Sequence, residues 1–237
     1  MKNALVATGG AALIIASYAA SGSATEGPTL DLTGIRTVKI TGDASWINVT
    51  TDGARPFLAQ LGAARHRALF QWTSGWFGND CTVASRMRVE DGTLIVETAD
   101  SSWFGFSDCT PTIALNLAGG ASISIEQRAA EVRVNGQFSD VSFKGHAADF
   151  TLNGHARNVA LSAEAIKATL TFDHPEKTES VDLTSEALDA TVEFGPGVPV
   201  DYRIDAKASM VNTQTVSTPG ALPRVRVVGK FVQFTLR

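Results

Sequence analysis

The middle of the chain repeats itself every nine residues, and no other feature narrows its fold so far. Ser122-Ile-Ser-Ile-Glu-Gln-Arg-Ala-Ala130, Glu131-Val-Arg-Val-Asn-Gly-Gln-Phe-Ser139, Asp140-Val-Ser-Phe-Lys-Gly-His-Ala-Ala148, Asp149-Phe-Thr-Leu-Asn-Gly-His-Ala-Arg157 and Asn158-Val-Ala-Leu-Ser-Ala-Glu-Ala-Ile166 follow one another without a gap. Residues 167–175 continue the series, four residues intervene, and units of nine resume over 180–188 and 189–197. The second and fourth positions of each unit are apolar, as in Val132/Val134, Val141/Phe143, Phe150/Leu152 and Val159/Leu161. Such short alternation, rich in β-branched and aromatic side chains, predicts a strand with one buried face. The sixth position is Gly136, Gly145, Gly154 or Ala163 and the eighth is mostly alanine, which suits a tight corner. No unit of this size buries its face alone, so the units must stack on one another.

Two all-β arrangements compete. Asn135-Gly136 and Asn153-Gly154 are strong hairpin dipeptides, which favours an antiparallel meander or sandwich. Such hairpins would set Val134 opposite Gln137, Leu152 opposite His155 and Phe138 opposite Arg133, so apolar side chains would meet polar ones in successive turns. A chain that turns a corner and continues round a coil avoids the conflict. The expected fold is therefore an all-β, right-handed parallel β-solenoid (β-helix) with about nine residues per strand-turn unit, the antiparallel meander or sandwich being the alternative.

Residues 1–24 read as a signal peptide: Lys2 is followed by an apolar stretch and then by small residues at Gly22-Ser-Ala24. The stretch falls short of the roughly 20 strongly apolar residues of a membrane span. Residues 25–237 then form a single exported domain, periplasmic, extracellular or on the cell surface. Loss of Lys2 leaves 19 basic against 24 acidic residues, and no basic run stands out, so neither nucleic acid nor an anionic membrane is an expected partner. Helical periodicity is scarce; 57–69 is the one candidate, weakened by Gly62. Strands are expected at 37–40 and 46–49, at 87–89 and 94–96 around the turn Glu90-Asp91-Gly92-Thr93, and at 201–204, 225–228 and 230–236. The last of these is expected to close the far end of the array.

The order of these elements carries a resemblance. A signal peptide leads to a Val-Lys-Ile strand and the sequence Gly42-Asp-Ala-Ser-Trp-Ile-Asn-Val49, then to Val89-Glu-Asp-Gly-Thr-Leu-Ile-Val96, to Thr112-Ile-Ala-Leu-Asn-Leu117, and to a Gly-punctuated series of short strands. This resembles the bacterial secreted adhesin-like, or head-domain-like, proteins. The resemblance implies a right-handed β-helix over most of residues 30–237 and brings no catalytic residues.

Residues 70–109 are the least generic part. Trp76-Phe-Gly-Asn-Asp-Cys81 is echoed by Trp103-Phe-Gly-Phe-Ser-Asp-Cys109, and Trp72, Phe70, Phe77, Phe104 and Phe106 lie with them. Two cysteines that each close the same motif in an exported protein predict a Cys81–Cys109 disulfide. Closing a loop of that size contributes roughly 3–4 kcal/mol in the chain-entropy account. Trp72, Trp76, Phe77, Trp103 and Phe104 are the candidate ligand-contacting residues, stacking on sugar rings or receiving a protein; the competing role is a cap over the first coil.

Nothing in the sequence assembles a catalytic constellation. His146 and His155 repeat at one position of successive units, but with two units per coil they lie on opposite sides of it. Asp140 and Asp149 begin their units, where turn chemistry accounts for them. The paired glycines and aspartate of calcium-binding nonapeptide rolls are absent, as is a Gly-x-Ser-x-Gly elbow. The expectation is a non-enzymatic, adhesin-like cell-envelope module for a cell-wall or capsular glycan or an envelope protein, with no cofactor, no metal and no catalytic residue. A purely structural or assembly solenoid and a polysaccharide-active β-helix enzyme are the alternatives.

Overall fold

The computed structural model describes residues 28–65, 85–98, 109–173, 175–176, 178–214 and 216–237. These are all-β, with no helix among them: β1 (Thr29–Asp31), β2 (Thr37–Thr50), β3 (Leu58–Arg65), β4 (Arg86–Glu90), β5 (Thr93–Glu97), β6 (Cys109–Asn116), β7 (Ala121–Lys144), β8 (Ala147–Phe172), β9 (Ser180–Glu193), β10 (Asp201–Thr213) and β11 (Arg224–Leu236). They form one open, mixed sheet in the order β1-β3-β6-β2-β7-β8-β9-β11-β10, with β5 also on β2 and β4 on β5. Strands β2, β7, β8, β9, β11 and β10 pair in parallel, as β5 and β6 do with β2. The β1–β3, β3–β6 and β4–β5 pairs are antiparallel.

The nine-residue repeat governs the register. Val132 lies beside Phe150, Val134 beside Leu152 and Asp140 beside Asn158, so each residue neighbours its equivalent two units on. Across the four inserted residues the step lengthens to match, setting Asn158 beside Ser180. The apolar positions face a continuous core in which Val132, Val134, Phe143, Phe150, Leu152, Leu161 and Leu183 are all buried. Each such side chain withdrawn from water contributes about 1.5–3 kcal/mol. The outward positions stack as polar ladders: Asn153 Nδ2 donates to Asn135 Oδ1 at 3.1 Å, and Asn158 Nδ2 to Asp140 Oδ1 at 2.7 Å.

Asn135-Gly136 and Asn153-Gly154 are bends inside β7 and β8, not hairpins. Gly154 has φ +128°, and a Cβ there would lie 2.2 Å from the Gly136 carbonyl oxygen. The glycine thus admits the backbone of the adjacent strand rather than reversing the chain. Further along the same corner column the position becomes Phe172 and then Phe194, whose rings stack with centroids 4.7 Å apart. The Asp91-Gly92 turn, by contrast, is the expected hairpin: Asp91 (φ +48°) and Gly92 (φ +74°) join β4 to β5, and Glu90 pairs with Thr93.

Two expectations are corrected. The helix candidate at 57–69 contains β3, a strand held antiparallel between β1 and β6. Its Ala59 and Leu61 are buried while Gln60 is less so, a period-two pattern that the run of small residues concealed. The last strand does not close the array either. β11 inserts between β9 and β10, which buries Val232, Phe234 and Leu236 and leaves β10 as the terminal strand.

Replacing Gly154 with alanine is expected to destabilise the protein by about 1–3 kcal/mol in urea denaturation, through overpacking against Gly136. Gly53→Ala, with open space around the added Cβ, is the control and should be near neutral.

Candidate functional site

The candidate ligand residues Trp72, Trp76, Phe77, Trp103 and Phe104 lie outside the described residues, as does Cys81; of Cys109 the backbone is described. The backbones of the strands that flank the two aromatic stretches are described, and they fix where each stretch begins and ends. Residues 66–84 run from the end of β3 to the start of β4, and residues 99–108 from the end of β5 to the start of β6. Arg65 pairs with Cys109, and Arg86 pairs with Glu97. Both stretches therefore span between the same two points of the sheet, one at the β3–β6 pair and one at the β4–β5 pair.

The anchor lies over one corner of β2. Thr37–Thr41 of β2 pair with β5 and Trp46–Thr50 with β6, so β5 ends and β6 begins beside the Gly42–Ser45 corner. A buried polar chain supports that corner: Ser45 Oγ donates to Gln127 Oε1 at 2.8 Å, and Gln127 Nε2 donates to Thr98 Oγ1 at 3.0 Å. Thr98 N in turn donates to Thr41 O at 2.9 Å. Asp43, itself buried, holds Arg128 Nη1 at 3.0 Å. Sequence reading missed Gln127, although a signal was there: its unit alone among the first five carries a bulky polar residue at the corner position.

Trp46, outside the aromatic stretches, stands 39% exposed beside Thr112, three residues past Cys109. A shallow cleft opens on the other anchor, lined by Leu30, Ser85, Arg86, Met87, Arg88 and Glu97 among others. Arg88 bridges Glu97 at 2.8 Å and Glu90 at 2.5 Å at the cleft wall, and these hydrogen bonds, that of Glu97 first, raise its pKa.

The remaining polar candidates are dispersed. Asp140 bonds Asn158 and Ser122 Oγ, and the Asn158 hydrogen bond, ahead of those from the serines, lowers its pKa below the ordinary aspartate value. Asp149 receives Lys167 Nζ at 3.2 Å in a different column. His146 Nδ1 lies 3.1 Å from Glu164, whereas His155 lies against the insertion, with Nδ1 3.1 Å from Glu179 Oε1 but off a hydrogen-bonding direction. Glu179 is fully buried and accepts from the backbone N–H groups of Glu176 (2.6 Å) and Thr178 (3.0 Å), pinning the inserted loop. No group of three or more His, Cys, Asp or Glu side chains among the described residues is arranged to hold a metal ion, and no helix there is long and apolar enough to cross a membrane.

Comparison with known proteins adds names at the level of overall shape. The chain aligns with a candidate cell adhesion protein from Clostridium sporogenes over 91% of its length and 100% of that chain, at 11% identity and TM-score 0.44. It aligns with a candidate adhesin from Parabacteroides distasonis over 92% and 98%, at 12% identity and TM-score 0.35. A candidate adhesin from Bacteroides fragilis covers 88% and 95%, at 16% identity and TM-score 0.26. No family model and no curated protein matches the sequence.

Two outcomes test the polar anchors. Gln127→Ala should cost roughly 1–3 kcal/mol in chemical denaturation, because Ser45 and Thr98 are left without their buried partner. Lowering the pH from the ordinary aspartate range should progressively remove the stability contributed by the Asp140 ladder, since a depressed pKa favours the fold only while the group is ionised; in Asp140→Asn that part of the pH dependence should disappear.

Proposed function

We propose that the protein is an exported, non-enzymatic adhesin-like module of the bacterial cell envelope, which binds a cell-wall or capsular glycan or an envelope protein through its two aromatic stretches. In this reading the parallel strands are the coils of a right-handed β-solenoid with two nine-residue units per coil, in keeping with the hand that parallel crossovers favour. One observation carries the binding reading above the others: 66–84 and 99–108 are tethered at the same two points, Arg65 beside Cys109 and Arg86 beside Glu97. In this reading Trp72, Trp76, Phe77, Trp103 and Phe104 gather beside the corner of the repetitive scaffold at which both stretches begin and end. A Cys81–Cys109 disulfide would join them. Loops carried by a rigid scaffold are where recognition residues concentrate. Trp46 adds a half-exposed indole next to the return point of the second stretch. Aromatic faces of this kind stack on the apolar faces of sugar rings or anchor a protein partner.

The exported, oxidised protein should be retained by purified cell-wall or capsular glycan, or by an envelope extract, in a pull-down. Trp76→Ala and Trp103→Ala should abolish retention while leaving the melting temperature within a few degrees of the parent. Retention unchanged in both variants would move the binding surface elsewhere; variants that instead lose several kcal/mol of stability would make the aromatics a cap.

A further inference from the structure

The terminal strand of the sheet points to a second copy of this chain. β10 pairs with β11 along one edge and with no other described strand along the opposite one. Its two halves are protected differently. At the start, Ser217 Oγ accepts from Tyr202 N and donates to Tyr202 O, both at 3.0 Å, and Thr218 N donates to Val200 O at 2.9 Å, so a loop covers the edge there. Asp201, Arg203, Asp205 and Lys207 add charges to that half. Ala208–Thr213 has no charge and no proline, and it exposes Met210 (69%) and Val211 (43%). An uncharged free edge with apolar side chains is a template for strand addition.

The pattern of β10 is complementary to itself. Before residue 207 the inward side chains are Tyr202, Ile204 and Ala206, beside buried Val225 and Val227 and half-buried Gly229. After it they are Ser209, Val211 and Thr213, beside buried Val232, Phe234 and Leu236. The backbone follows the same switch. Asp201 N donates to Pro223 O and Tyr202 N faces outward to Ser217, so the alternation of a parallel ladder turns Ile204 and Ala206 to the free edge. Gln214 N donates to Leu236 O, so Ser209, Val211 and Thr213 present their N–H and C=O groups to the free edge in the second half.

We propose that two copies join end to end across a twofold axis at the corner between Lys207 and Ala208, each β10 pairing antiparallel with the other. In that register Ile204 lies opposite Val211 of the other copy and Ala206 opposite Ser209. All four positions have backbone groups that meet no partner among the described residues, and inward side chains, so hydrogen bonding and core continuity are satisfied together. Outward, Arg203 meets Asn212, Asp205 meets Met210 and Lys207 meets Ala208, with no like charges directly opposed. A shift of one residue in either direction sets inward against outward side chains, which specifies the register. The interface is isologous and closes at two copies.

Light scattering and sedimentation velocity on the full exported chain test this. The parent should have twice the chain mass at high concentration. Val211→Pro, which removes an N–H that β11 does not use, and Ser209→Lys should both be monomeric, with unchanged strand circular dichroism. If Val211→Pro fails to fold, Ser209→Lys decides alone. A parent that stays monomeric at every attainable concentration, or a dimer that survives in folded Ser209→Lys, overturns the proposal.

Discussion

Parallel hydrogen bonding between residues two repeat units apart is the constraint on which the rest of this structure depends. Once Val132 lies beside Phe150 and Asp140 beside Asn158, every position of the nine-residue unit acquires a fixed environment. Second and fourth positions must be apolar because they face a shared core, and the outward positions stack into ladders of amides and carboxylates. The corner must admit the backbone of the neighbouring strand, which is why Gly154 approaches Gly136 so closely. A unit can depart from the pattern only if it supplies its own partners. Gln127 does so with Ser45 and Thr98, and Ser185 with the carbonyls of Glu164 and Ala187.

That logic explains what could be read from the sequence and what could not. The core positions were legible because Ile123, Val132, Phe150 and Leu161 recur at fixed places, and the four-residue insertion reappears as a longer step between Asn158 and Ser180. The Asp91-Gly92 hairpin was legible because both residues sit at positive φ, as that turn type demands. Local chemistry misleads where tertiary context decides. Asn-Gly dipeptides that would make hairpins in isolation become bends, because the neighbouring strands offer parallel partners on both sides. β3 escaped notice because Ala59, Gly62 and Ala63 lack the bulk that marks a strand. The exchange of β10 and β11 leaves no trace in composition: both alternate, and only pairing tells which is enclosed.

The corner beside the candidate aromatic stretches was hidden in the sequence for a related reason. Its aromatic stretches stand out because they are unlike the repeat that follows them, while Gln127, Thr98 and Asp43 at the β2 corner look like ordinary corner residues until the register brings them together. The two ends of the sheet thus have different characters. One carries the antiparallel strands β1, β3 and β4 and the tethers of the aromatic stretches; the other ends in β10, whose free edge is clipped by Ser217 over only part of its length.

The two-unit register is tested most directly by cross-strand nuclear Overhauser contacts between backbone protons of the labelled protein. Contacts should join Val132 to Phe150, Val134 to Leu152 and Val141 to Val159, each to its equivalent two units later. Contacts joining Val134 to Gln137 and Leu152 to His155 across Asn-Gly turns would instead establish an antiparallel meander and contradict the account.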